Sequence, residues 1–448
     1  MMLKNLSTTS ALLLLFTTSL MAQHELGLSF MRNVWQANKT NPAIVQPNAI
    51  TLSVLGLRDN LSFDGPTYNQ IVTRENGKNV IDIDRFISYL HPENLIRNDL
   101  ELPTLDLAFR IKGLTLSLGH AVKYNAFFKY PKSLPQIVWQ GNAQFTGQTV
   151  DLGNELQLTG YHELGIGAAY KFSHLTLGMK AKFLSGIADA STVSDHHSAS
   201  LFTDSDVYQI TLAADYILNT ANSLDYNSFT DFNANFNYGN LTFSRFFSAN
   251  SGLAWDLGAR LELGKLDVAV SVLDLGQINW DDNVNNYRST QSYQYDGLDF
   301  SQALTGGESA NFDQALDTLK QLFQPEKTHV SYPTTLPHKV YLNALYSLND
   351  MLSLGGLLFY ENFRGKTATA VAAGANLKLV KALTIGATYG VKKDSYDNIG
   401  LNLTLHLGPV QIFGVTDNII AVFNAGDSKS YGARIGGSLN LGKISDDE

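Results

Sequence analysis

Residues Leu401-Asn402-Leu403-Thr404-Leu405-His406-Leu407 carry leucine at every second position and a polar side chain between. Only an extended strand turns those two sets to opposite faces, because its side chains alternate with a period of two. Four leucines on one face need an apolar medium; Asn402, Thr404 and His406 need water. The same alternation recurs at Leu175–Phe183, Trp255–Leu263 and Tyr431–Leu441. It predicts an all-β chain, a transmembrane antiparallel barrel with leucines toward lipid and polar groups toward a wet lumen. A soluble sandwich fits less well, since its strands are usually about 5–6 residues long.

The N-terminus agrees with export. Lys4 supplies a positive start, Ala11 to Phe16 a short apolar core, and Leu20-Met21-Ala22 a small residue before Gln23. This is signal-peptide anatomy and predicts cleavage after Ala22. No later stretch approaches the roughly 18 consecutive apolar residues that a membrane helix needs. The chain has no cysteine, which excludes disulfides and thiolate metal sites. Its formal charge of −9 argues against nucleic-acid binding. Tyrosines number 20 and phenylalanines 24, enough for the aromatic girdles of a barrel.

Tight turns are readable at Lys112-Gly113, Ser173-His174, Gly264-Lys265, Asn349-Asp350, Lys381 and Gly408-Pro409. They alternate with mostly longer connections, at 58–101, 125–156, 188–206, 278–336 and 417–430. A barrel with one periplasmic and one extracellular rim has this rhythm, and it gives about 14 to 16 strands. Residues 1–22 are then the signal, 23–47 an N-terminal segment, and 48–448 the barrel, with long loops at 58–101 and 281–336. Alternation assigns Lys171, Lys180, Lys182, Lys378, Asp256, Arg260, Glu262, His406 and Arg434 to the lumen.

Asn41-Pro42-Ala43 resembles the signature near the start of FadL-like long-chain fatty-acid transporters, whose N-terminal segment folds into the lumen as a hatch. Trp255-Asp256-Leu257-Gly258-Ala259, Ser271 to Trp280 and Leu336 to Leu342 look like a Bacteroidota family of outer-membrane barrels of unknown function, itself FadL-like. The resemblance covers nearly the whole mature chain. It implies 14 strands, a hatch at 23–47 holding Asn41, Pro42 and Ala43, and residence in a Gram-negative outer membrane. It also implies passive transport of hydrophobic or amphiphilic small molecules. The alternative it implies is a non-transporting scaffold or shuttle for secreted proteins, as one FadL-like member of type IX secretion is. One departure is the C-terminus, which runs past Leu441 into an acidic tail instead of stopping on an aromatic residue.

No catalytic constellation is present. His162-Glu163 lacks the second histidine of a metalloprotease, and no nucleophile elbow or phosphate loop occurs. Asp195-His196-His197 reads as a solvated loop, and Asp281-Asp282-Asn283 as a charged loop start. No enzyme activity, cofactor or metal is expected. Phe312, Leu316, Leu319 and Phe323 recur at helical spacing and predict a short amphipathic helix in the extracellular loop. It is read as a lid or a docking face for a surface protein or an amphiphile. The lumen cations, opposed by Asp256 and Glu262, are the candidates for steering an anionic headgroup.

Overall fold

Alternation becomes a closed wall in the computed structural model, which describes residues 25–54, 56–228, 231–234, 249–290, 292–295, 325–392 and 395–444. Among these, fourteen antiparallel strands form the barrel. They are β1 (Asn48–Val54, resuming at Gly56–Phe63), β2 (Glu93–Ile111), β3 (Leu114–Pro131), β4 (Glu155–Phe172) and β5 (Leu175–Thr203). Then come β6 (Ser251–Leu263), β7 (Leu266–Trp280), β8 (Tyr332–Thr335 and His338–Ser347), β9 (Leu352–Phe363) and β10 (Lys366–Val380). The last are β11 (Leu383–Lys392), β12 (Ser395–Leu407), β13 (Val410–Thr416) and β14 (Ser430–Lys443). Closure comes from β14 pairing with both parts of β1, through Ile50↔Leu441 and Asp59↔Ala433. No helix among the described residues is long and apolar enough to cross a membrane.

Leu401, Leu403 and Leu407 are exposed on the outer wall, whereas Asn402 and Thr404 are buried inside. Leu175, Leu177, Met179 and Phe183 likewise point out, and Thr176 and Lys182 in. Placing Lys at the lipid-facing Leu403 should therefore destabilise the barrel by about 2–4 kcal/mol. Urea unfolding in phospholipid vesicles reads this directly; a change below about 1 kcal/mol would contradict the assignment of that face.

Three departures from the simple alternation have physical causes. The excursion expected at 58–101 narrows to 64–92, because β1 continues to Phe63 and β2 begins at Glu93. Leu95 and Ile96, inside that expected excursion, are the buried and exposed faces of a strand. The connection expected at 188–206 is strand up to Thr203, because β5 stands 29 residues long and projects beyond the rim. There Ile210–Ala221 pairs with it, followed by Val284–Ser289 and Ser292–Tyr295. Asp195-His196-His197 therefore lies on a strand, with His196 beside Asp215 and His197 beside Glu155. The loop expected at 281–336 contributes those short strands and Glu326–Thr328, where Lys327 donates to Asp225 and that bond raises its pKa. The predicted helix with Phe312, Leu316, Leu319 and Phe323 falls outside the described residues, as does the segment expected to be a signal peptide.

Candidate functional site: the plugged lumen

Residues 25–47 have no strand partner and lie inside the barrel. Two short 3-10 turns, Gly27–Phe30 and Trp35–Lys39, fold them compactly, and nearly all their side chains are buried. The segment satisfies only part of its backbone by its own turns, and the wall takes up more of it. Asn343 and Asn376 donate to the carbonyls of Ser29 and Phe30, and Gln411 to that of Asn33. Ser271 donates to Thr40 and Arg110 to Gln46. At the leading end, the Asp417 carboxylate accepts the N–H groups of Leu26 and Gly27 at 3.1 and 2.8 Å.

Two pairs of wall glycines receive the plug. Gly178 and Gly258 face each other across β5 and β6. A Cβ on either would strike Pro42 or Asn41. Gly355 and Gly374 face each other across β9 and β10, and a Cβ there would sit 3.0 or 2.8 Å from the Phe30 ring. The Asn41-Pro42-Ala43 turn is thus locked three ways. The Asn41 oxygen accepts Ala43 N–H at 2.8 Å, and its amide donates to the carbonyls of Ala259 and Val270 at 3.3 and 2.9 Å.

Charges on the plug are matched by charges on the wall. Glu25 pairs with Arg58 at 3.0 Å and with Arg434, which also reaches Glu101 at 2.7 Å. Lys39 pairs with Glu101 at 2.9 Å and Asp106 at 3.6 Å. Arg32 shares Asp267 with Arg260, and Arg260 also meets Glu262 at 3.0 Å. Lys171 closes that group on Glu262 at 3.2 Å. Above the plug, Lys182 is held by Asp256 at 2.7 Å and Asp274 at 2.6 Å, and Lys123 by Glu163 at 2.6 Å. The Glu25–Arg58–Arg434–Glu101–Lys39 pairs and the Lys182 and Lys123 pairs surround a chamber of only about 60 Å³, room for a few waters.

Each residue expected at the lumen can now be placed. Lys182, Asp256, Arg434 and the Arg260–Glu262–Lys171 group belong to the ion pairs. His406 meets Gln411 at 2.7 Å near the periplasmic end. Lys180 differs: its ammonium donates to Asn38 at 2.9 Å and has no carboxylate within ion-pair distance among the described residues. Sequence reading missed Glu25, Arg58, Glu101, Asp106, Lys123, Glu163 and Asp274. Strand parity carried the signal for Lys123 and Glu163. For others it was inverted by irregularities: β2 breaks register between Pro103 and Leu105. Its inward residues are odd-numbered above the break (Arg97, Asp99, Glu101) and even-numbered below it (Asp106, Arg110). Asp274, with φ +60°, does the same to β7.

Part of the lumen wall next to this chamber is apolar. Leu273, Tyr341, Leu345, Leu357 and Phe359 on β7 to β9 pack with Leu26 and Phe30 of the plug. Higher on the same wall, Ile278, Trp280, Tyr332 and Leu336 join Tyr161 and Leu184. Trp280 is fully buried and donates to Thr334. The interior therefore has one ion-paired wall, one greasy wall and a plug touching both.

These observations describe a closed 14-strand antiparallel barrel whose N-terminal segment is folded into its own lumen. The chain belongs to a family of unknown function, DUF5723, whose model matches residues 42–417. It is similar in fold to the Ralstonia pickettii toluene transporter TbuX: 10% identity, 90% of this chain, 93% of that one, TM-score 0.44. It is also similar to the Pseudomonas putida toluene transporter TodX, at 9% identity, 90% and 92% coverage, and TM-score 0.40. The translocator domain of autotransporter NalP from Neisseria meningitidis gives 8% identity, 88% and 89% coverage, and TM-score 0.32. A search of curated proteins gives no match.

Proposed function

We propose that this chain is a gated passive channel for hydrophobic or amphiphilic small molecules, closed at rest by its own plug. One observation carries the reading: Leu26 and Phe30 of the plug occupy the greasy wall of β7 to β10. Displacing them would leave an apolar track adjoining an ion-lined one, which suits a molecule with a tail and a polar head. The plug is held by hydrogen bonds and ion pairs, which can be exchanged without breaking the barrel ladder.

The test is uptake into asymmetric vesicles with lipopolysaccharide outside, using decanol and decanoate as probes. The protein should accelerate both. Lys180→Gln should slow decanoate several-fold and leave decanol unchanged, because Lys180 is the chamber cation not committed to a carboxylate. Lys182→Gln is a poorer probe, since it strips a counter-charge from Asp256 and Asp274. Uptake no faster than in empty vesicles would remove the proposal. A second reading, a scaffold for secreted proteins, is favoured by the sheet projecting from β5, whose tip exposes Val207 and Tyr208. Trimming residues 204–209 should abolish partner capture under that reading and leave uptake intact under the first.

A further inference from the structure

The plug has a second face, toward the periplasm, with a recess of about 330 Å³ beneath it. We propose that this recess is a binding site for a small amphiphile with an anionic head, resting on the channel reading above and supplying its periplasmic landing place. Three features support it. The volume lies at the lower end of ordinary ligand pockets, about 300–1,000 Å³. Its apolar lining, Phe30, Leu345 and Leu352, continues the greasy wall downward, since Phe30 and Leu345 belong to both. Its cations are available: Lys378 is exposed, and no carboxylate lies within ion-pair distance of it among the described residues. Lys265, also exposed, spends its ammonium on the Leu348 carbonyl at 3.2 Å, a contact that an anion can replace.

The carboxylates nearby do not cancel these charges. Glu262 and Asp267 are occupied by Lys171, Arg260 and Arg32. Asp350, on the turn between β8 and β9, is the one acidic lining group for which no ion pair is found, among the described residues. It sets a polarity that the test can use, because removing it should strengthen an anion's hold.

Full-length protein in phosphatidylcholine nanodiscs is titrated with decyl phosphate, followed by phosphorus NMR. Saturable binding is expected, weakened at least tenfold by Lys378→Glu and tightened by Asp350→Asn. Lys381→Glu, on the same rim but outside the recess, should leave it unchanged. Phosphatidylglycerol in the disc distinguishes the source of the anion: competition assigns the recess to a lipid headgroup, and undiminished binding to a free amphiphile. Absent saturation, or equal weakening by Lys378→Glu and Lys381→Glu, overturns the site. If uptake persists without this binding, the site fails and the channel stands. Binding without uptake leaves the site and removes the channel.

Discussion

Arg434→Leu is expected to destabilise the barrel by about 3–5 kcal/mol, the usual loss when one partner of a buried ion pair is removed. Arg434 is among the most deeply buried large side chains in the protein, lying between Glu25 on the plug and Glu101 on β2. Without it two carboxylates remain in a low-dielectric space with fewer donors. Arg58 still faces Glu25 and Lys39 still faces Glu101, which keeps the loss at this size. Arg434→Lys should recover only part, because an ammonium cannot reproduce the fork that meets both carboxylates. Urea unfolding in phospholipid vesicles measures both variants. A loss below about 1 kcal/mol for Arg434→Leu would mean that the plug is not anchored through this residue.

The second large effect is expected at Gly258. Valine there would put carbon where Asn41 and Pro42 now lie, on a strand whose backbone cannot retreat without disturbing its ladder with β5 and β7. Overpacking of this kind costs about 1–3 kcal/mol. The plug is the softer partner, so the strain should appear as unseating, raising its open population roughly 5- to 150-fold. In the wild type, Arg32 and Lys39 are engaged in ion pairs inside the barrel, so both should resist trypsin. In Gly258→Val both should be cleaved while the barrel keeps its folded mobility in unheated SDS gels. Gly356→Val, at a glycine with open space around its Cβ position, is the control. Equal protection in both variants would contradict the socket.

The wall was legible because lipid imposes one demand on every strand. Leucine at every second position in Leu401–Leu407 can be satisfied in few ways, and short turns alternating with long loops narrowed the strand count to about 14 to 16. Legibility ended where that demand ends. Residues 188–192 of β5 are buried on both faces and 193–200 partly or fully exposed on both, so the alternation that marks a strand disappears. Inside the wall, parity fails at irregularities, so Glu101 and Asp106 both face inward although their numbers differ by an odd count. The plug posed a different difficulty. Asn41-Pro42-Ala43 marked its existence, yet Glu25 and Arg434 stand 409 positions apart, and nothing local in either predicts the other. Phe30 and its glycine pair, Gly355 and Gly374, are likewise visible only as a contact.

Deleting residues 25–46 and recording conductance across a planar bilayer tests the account most directly. The intact protein should stay closed, because plug, ion pairs and the Trp280 cluster fill the lumen. The deletion should give a steady, ohmic current through a barrel that is still folded. Equal conductance from intact and shortened proteins, or continued closure after the deletion, would contradict the view that this segment is what seals the barrel.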